Sequence, residues 1–356
     1  MSDNLTQDMS DNLTQTVSSA RVDLAGTEAA AVASARYLST ARARKLLSHW
    51  LVQLLVKLAI SSGLIWLVCR NIDPTGLTQR FEGQSPEWVF AAALATLAQI
   101  LIAAVRWQVI LRALGIQIPS RTVVSVTFVG SFFNTFLLGN GSGDLARAVL
   151  APPNSRGRSA VVHSVLFDRA VTFAGVGLAI LPVTTLNIGP LARNLPVLIS
   201  IGVVSLPFIG LLWLEPVVAL LVRWRQPFAG LAQDLVDSWQ RLRRSWRHFL
   251  LSLAFAALSE VAISVVAYCL ARAQNLDVSF VDFLALMPPV VLLGALPISI
   301  GGWGVRENVL VLTLAPLGIA AGSALLVGVQ IGLLGAVLSL PGAAIWLFGH
   351  VLRQKP

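Results

Sequence analysis

Apolar residues recur along the chain in blocks about as long as a membrane is thick, parted by short polar stretches. A helix crosses the hydrocarbon core with roughly 20 apolar residues. Blocks of that kind fall at 49–69, 88–111, 161–181, 195–214, 249–270 and 322–348. Two further apolar stretches, 122–138 and 283–297, run into Gly-rich breaks and then into short helical patterns at 144–150 and 305–314. Each reads as a re-entrant hairpin, because irregular backbone at membrane depth is tolerated only against protein or a watery cavity. The pattern predicts an all-α polytopic membrane protein. It has about six full transmembrane helices plus two broken re-entrant helical hairpins.

The polar gaps give an orientation. Arg36, Arg42, Arg44 and Lys45 precede the first span, Arg112 and Arg121 follow the second, and Arg156 and Arg158 follow the first hairpin. The gaps 70–87, 187–194 and 277–282 are poor in basic residues. Cytoplasmic loops carry the Lys and Arg excess, so both termini are expected inside and the two hairpins face opposite ways. Residues 1–45 are expected to form a disordered tail, with Met1 to Gln7 repeated at Met9 to Gln15 as a duplicated start. Residues 46–350 form the membrane domain, in halves of about 46–185 and 195–350. The basic loop 215–248 has Leu231, Leu235, Trp239 and Leu242 at helical spacing, which predicts an amphipathic helix lying on anionic headgroups.

Each half holds three spans and one hairpin, and the halves run in opposite directions. An offset of 161 places Gly141 on Gly302, Gly143 on Gly304 and Gln99 on Glu260. Such symmetry is what an inverted repeat leaves in a transporter, whose site lies near the midplane at broken helices.

Composition agrees: 56% of residues are apolar and 12% charged, with a mean hydropathy of +0.76. A soluble domain carries roughly 25% charged residues. The net charge of +9 sits in the gaps between spans, which argues against nucleic acid as a partner. Cys69 and Cys269 form no disulfide framework or metal motif.

The chemistry lies in charges that lipid would reject. Each costs about 2.5–3.5 kcal/mol at mid-membrane on insertion scales. Asp144 and Arg147 follow the break at Gly141 and Gly143; Arg306 and Glu307 follow Pro297, Gly301, Gly302 and Gly304. A broken helix offers backbone N–H groups and a dipole to an anion, and Arg grips phosphate through two N–H groups. These residues read as a path for a phosphate-bearing headgroup or as an ion-pair network that locks the hairpins. Asp168 and Arg169 point about 100° apart on a helix, so each needs another partner, with Arg147 and Asp144 as candidates. Glu260 reads as a proton carrier, an arginine's counter-ion or a protonated carboxyl bonded to a backbone carbonyl. Arg106 reads as snorkelling to headgroups, and His163 as an interfacial residue. No nucleophile elbow, metal-ligand spacing or phosphate-binding loop occurs, so neither an enzyme nor a cofactor is expected.

Three segments carry a family resemblance: Gly143-Asp144-Leu145-Ala146-Arg147, Ser164-Val165-Leu166-Phe167-Asp168-Arg169, and Pro297-Ile298-Ser299-Ile300-Gly301-Gly302-Trp303-Gly304-Val305-Arg306-Glu307. With them the chain resembles the lysylphosphatidylglycerol synthase transmembrane-region family of flippase-like membrane proteins, over about residues 50–350. The resemblance implies lipid translocation across the bacterial inner membrane. It does not imply synthesis, which a separate cytoplasmic domain performs in bifunctional members and which is expected to be absent here. Membrane lipids are the implied partners. Two alternatives stand beside transport of lipid: a subunit that docks a glycosyltransferase or lipid-modifying enzyme through 215–248, and a small-solute secondary transporter.

Overall fold

The computed structural model describes residues 81–136, 141–152, 157–185, 229–295 and 299–353, with a few positions between 55 and 66. The chain divides at Val56 and Lys57, and every helix named below belongs to the second unit, Lys57–Pro356. The expected tail 1–45, the span 195–214, most of the span 49–69, the start of the basic loop and Pro297 lie outside the described residues.

In chain order the helices are α1 (Pro86–Ala113), α2 (Ser120–Phe136), α3 (Ser142–Leu150), α4 (Gly157–Thr185), α5 (Ala229–Arg244), α6 (Trp246–Ala273), α7 (Phe280–Gly294), α8 (Val305–Leu314) and α9 (Ala321–Arg353). Four are long and apolar enough to cross a membrane: α1, α4, α6 and α9. With 17 residues in α2 and 15 in α7, these helices fall short of the usual span, and each is paired with a short half-helix. Pro288 and Pro289 lie inside α7, where each removes a backbone donor. The protein is an all-α polytopic membrane protein.

Local signals set the ends. Pro86 opens α1 after Ser85, and Glu87 lies in its first turn against the positive end of the dipole. A capping box between Ser279 and Asp282 opens α7. After α1, Gly115 takes φ +73° and the Ile116 N–H donates to the Leu111 carbonyl. After α6, Asn275 takes φ +56° and the Leu276 N–H donates to the Ala271 carbonyl. Both are left-handed helix stops of the same kind.

The repeat is clearer in the elements than in the sequence. Helices α1 and α6 each have 28 residues, and their stops lie 160 apart (275 minus 115). The half-helices α3 and α8 start from Gly141 and Gly304, 163 apart. The single offset of 161 is therefore corrected: the stretch from stop to half-helix is three residues longer in the second half. Helices α1 and α6 make the most extensive packing among the described helices. They run antiparallel, since the Ser85 N–H donates to the Ala273 carbonyl at 3.0 Å and Trp88 meets Tyr268 edge-on.

Glycines allow other close passes. Gly175 of α4 lies against Ala256 of α6, and Gly342 of α9 against the Phe128 backbone of α2. The exposed residues Phe90, Leu94, Leu101 and Val105 form one stripe on α1. Large exposed apolar patches are rare on soluble proteins and suit a lipid-facing side.

Helix α5 is amphipathic, with Arg241, Arg243 and Arg244 exposed on one side and its apolar residues on the other. Trp239 and Leu242 are buried in a cluster with Trp107, Phe167 and Leu111. This part of its apolar face packs on α1, α4 and α6. His163 is likewise buried, within 3.0 Å of the Ser238 hydroxyl.

Candidate functional site

Five charged side chains join two long helices, α1 and α4, to the half-helix α3 of the first hairpin. Asp168 of α4 is 1% exposed and accepts from Arg106 Nε of α1 at 2.8 Å and from Arg147 Nη1 of α3 at 2.9 Å. Arg147 also donates to Asp144 at 2.5 Å, and Asp144 accepts from Arg169 Nε of α4. The order is Arg106, Asp168, Arg147, Asp144, Arg169. The partners expected for the adjacent pair Asp168 and Arg169 are the ones the fold supplies. The Arg147 guanidinium also lies over the Trp107 ring, 5.1 Å from its centroid.

Arg106 is the residue that the sequence reading missed. It was expected to snorkel outward, yet it is buried. Its signal lay in spacing: Gln99, Ala103 and Arg106 fall on one helical face, opposite the exposed apolar stripe, and all three line the same cavity.

That cavity has a volume of about 280 Å³ and is walled by α1, α2, α3, α4, α6 and α7. Arg106, Arg147, Asp168 and Arg169 line one part, and Ser259 and Glu260 of α6 another. Glu260 is 3% exposed, and its Oε2 has no hydrogen-bond partner. The neighbouring Ser259 hydroxyl lies 3.4 Å from Arg106 Nη1. The α2 wall is polar or small: Thr127, Gly130, Ser131 and Asn134.

Arg306 and Glu307 do not join this group. Arg306 Nη2 donates to Glu307 Oε1 at 2.5 Å, and its guanidinium lies 4.9 Å from the Trp303 ring centroid. Glu307 is fully buried and its Oε2 accepts from the Gly304 N–H at 2.6 Å. Gly328 and Gly332 of α9 make room for Glu307 and for Arg306 with Trp303. The break itself needs glycine: Gly301, Gly302 and Gly304 take φ of +57°, +78° and +85°. Gly301 brings the second break to the first hairpin, since a Cβ there would stand 2.9 Å from the Thr135 carbonyl oxygen.

The half-helix starts differ from the open anion sites expected of them. At α8 the carboxylate of Glu307 already occupies the dipole end. At α3 the Gly143 N–H donates to Asn134 Oδ1 at 2.9 Å, and the Ser142 hydroxyl to the Phe133 carbonyl at 2.7 Å. Gly141 caps α3 with an ordinary φ of −98°, and Gly143 serves close packing on Gly130. Attraction for an anion therefore rests on the arginines around the cavity.

The sequence model of the family described as lysylphosphatidylglycerol synthase TM region matches residues 54–342. No curated protein sequence matches the chain significantly. The chain belongs to that family, and so is an integral membrane protein of lipid-related processes.

Proposed function

We propose that the chain takes a phosphate-bearing lipid headgroup, of a phospholipid or a polyprenyl-linked lipid, into the cavity at Arg106, Arg147 and Arg169 and carries it across the bacterial inner membrane. The observation that carries this reading is the convergence of three arginines on one cavity inside membrane-embedded helices. Ligand pockets start near roughly 300 Å³, so this cavity suits a headgroup and leaves the acyl chains outside. A phosphate oxygen can replace Asp144 or Asp168 as an arginine's partner. The exchange swaps one charge-assisted hydrogen bond for another, which avoids leaving a buried cation alone. In this reading both termini lie in the cytoplasm, membrane lipids are the partners, and the chain makes or breaks no covalent bond.

The test is lipid transport in proteoliposomes. Fluorescent phosphatidylglycerol should cross faster than in empty liposomes, and an Arg147→Ala protein that inserts and folds should lose most of that rate. Equal rates with and without the protein would remove the transport reading. A second reading, a subunit that docks a lipid-modifying or glycan enzyme, is favoured by the exposed Arg241, Arg243 and Arg244 on α5. It predicts no transport by the purified chain, and loss of enzyme association when these arginines become Glu.

A further inference from the structure

The cavity holds one carboxyl group that the ion-pair order does not use. Arg106, Arg147 and Arg169 carry three positive charges, and Asp144 and Asp168 balance two of them. Among the described residues Glu260 sets the remainder, with one excess positive charge when it is protonated and none when it is ionised. Its Oε2 is buried without a hydrogen-bond partner, which suits a neutral carboxyl far better than a carboxylate. We propose that Glu260 is a proton site coupled to the headgroup site, so that one proton enters the cavity with each anionic headgroup.

The proposal rests on the headgroup reading above. A neutral Glu260 leaves the cavity one positive charge, and a phosphodiester headgroup brings one negative charge. The loaded cavity is then neutral, the state that a low-dielectric interior tolerates best. If Glu260 ionises first, it competes with the headgroup for Arg106, which lines the same cavity. Proton and headgroup therefore favour each other's binding, by reciprocal linkage.

The surroundings contain no rival for that role among the described residues. Helix α1 presents Arg106 and Gln99 to the cavity, α4 presents Asp168, Arg169 and Thr172, and α3 presents Arg147. Helix α7 brings Val291, and its charged residue, Asp282, lies in its opening turn. Helix α9 has its titratable residues, His350 and Arg353, only at its end, and neither α5 nor α9 contributes a residue to the cavity lining. Asp168 is held by two arginines and Asp144 by two, so Glu260 is the acid left to take up a proton.

The experiment uses the full chain in phosphatidylcholine nanodiscs, with phosphatidylglycerol as the probe, because its phosphodiester keeps its charge from mildly acidic to mildly alkaline pH. In weak buffer on the alkaline side, where Glu260 of the empty cavity is ionised, each lipid bound to the wild type should take up close to one proton; on the acid side, where it is already protonated, none. On the alkaline side its affinity should fall by up to about tenfold per pH unit. Glu260→Gln should bind with the wild type's acid-side affinity throughout and take up no proton, and Glu260→Asp should keep the coupling. Binding by the wild type on the alkaline side with no proton uptake and no loss of affinity overturns the proposal and leaves the headgroup reading standing. No binding at any pH overturns both. The wild-type proton count needs no variant, so a misfolded Glu260→Gln protein leaves the decision intact.

Discussion

The two halves share a scaffold and differ in how they use an acid. Each runs from a 28-residue helix through a left-handed stop to a broken hairpin and a long return helix. Each half-helix carries an acid three residues after its capping glycine: Asp144 after Gly141, and Glu307 after Gly304. Asp144 faces outward, to Arg147 on its own helix and Arg169 on α4, and Arg147 continues to Asp168 and Arg106. Glu307 turns inward, to its own cap and the adjacent Arg306. Counting 11 residues from the helix starts, the position of Asp168 in α4 is Gly332 in α9, which gives room to Arg306 and Trp303 instead of a carboxylate. An ion pair between elements ties their positions to charge, so a charged ligand can alter it and move them. A pair within one turn offers a ligand no such handle. The two halves share a frame; the chain of ion pairs lies in the first, and Glu260 of the second faces the same cavity.

The largest effect expected from that contrast is at Asp168. Asp168→Asn leaves Arg106 and Arg147 buried with weaker partners, and breaking a buried pair from one side costs about 3–5 kcal/mol. Folded yield in detergent and thermal midpoint should both collapse. A double variant, Arg106→Met with Asp168→Leu, should recover much of the stability, since Arg147 keeps Asp144. Equal losses in the single and double variants would mean that packing, not charge, dominates at this position.

In the second half, Arg306→Ala removes one partner of Glu307 and leaves the Gly304 N–H in place. The expected loss is about 1–3 kcal/mol, read as a lower thermal midpoint. Lipid transport per folded molecule should stay near the parent rate. A folded Arg306→Ala protein that moves no lipid would show that both halves handle the headgroup, and the contrast would fail.

Much of this architecture was legible in the sequence. Spans long enough to cross, the two Gly-rich breaks and the buried charges Asp144, Arg147, Asp168 and Arg169 all follow from hydropathy and from the cost of charge in lipid. Three features did not. Arg106 lies near the end of an apolar run, where snorkelling and inward burial leave the same mark in hydropathy. The apolar face of α5 reads the same whether lipid or protein covers it. The half-helix starts looked open because their fillers, Asn134 and the inward fold of Glu307, depend on tertiary placement that spacing alone does not carry.

Within the first hairpin, two neighbouring glycines separate packing from bending. A Cβ on Gly143 would run into the Gly130 carbonyl and the Asn134 side chain, whereas one on Gly141 would meet nothing within 4 Å. Gly143→Ala should lower stability by about 1–3 kcal/mol, as overpacking does. Gly141→Ala should stay within about 0.5 kcal/mol. Similar midpoints for the two variants would show that α3 does not pack closely on α2.

The smallest effect is at the paired helix stops. Gly115 and Asn275 hold equivalent left-handed positions, so the fold has already accepted Asn in one copy of this turn. A non-glycine residue there carries strain of about 1–3 kcal/mol. Asn is the side chain that bears it best, because its short amide can bond locally. Asn also restricts the unfolded chain more than Gly does, which offsets about 0.4–1 kcal/mol. Gly115→Asn should therefore change stability by less than about 1 kcal/mol, and Asn275→Gly by a similar amount of opposite sign. Gly115→Val, with a branched Cβ at the same φ, should cost clearly more than Gly115→Asn. Thermal midpoints of the three variants in one detergent test this directly. If Gly115→Asn is as harmful as Gly115→Val, the two stops are not equivalent, and the repeat does not reach as far as the turn geometry indicates.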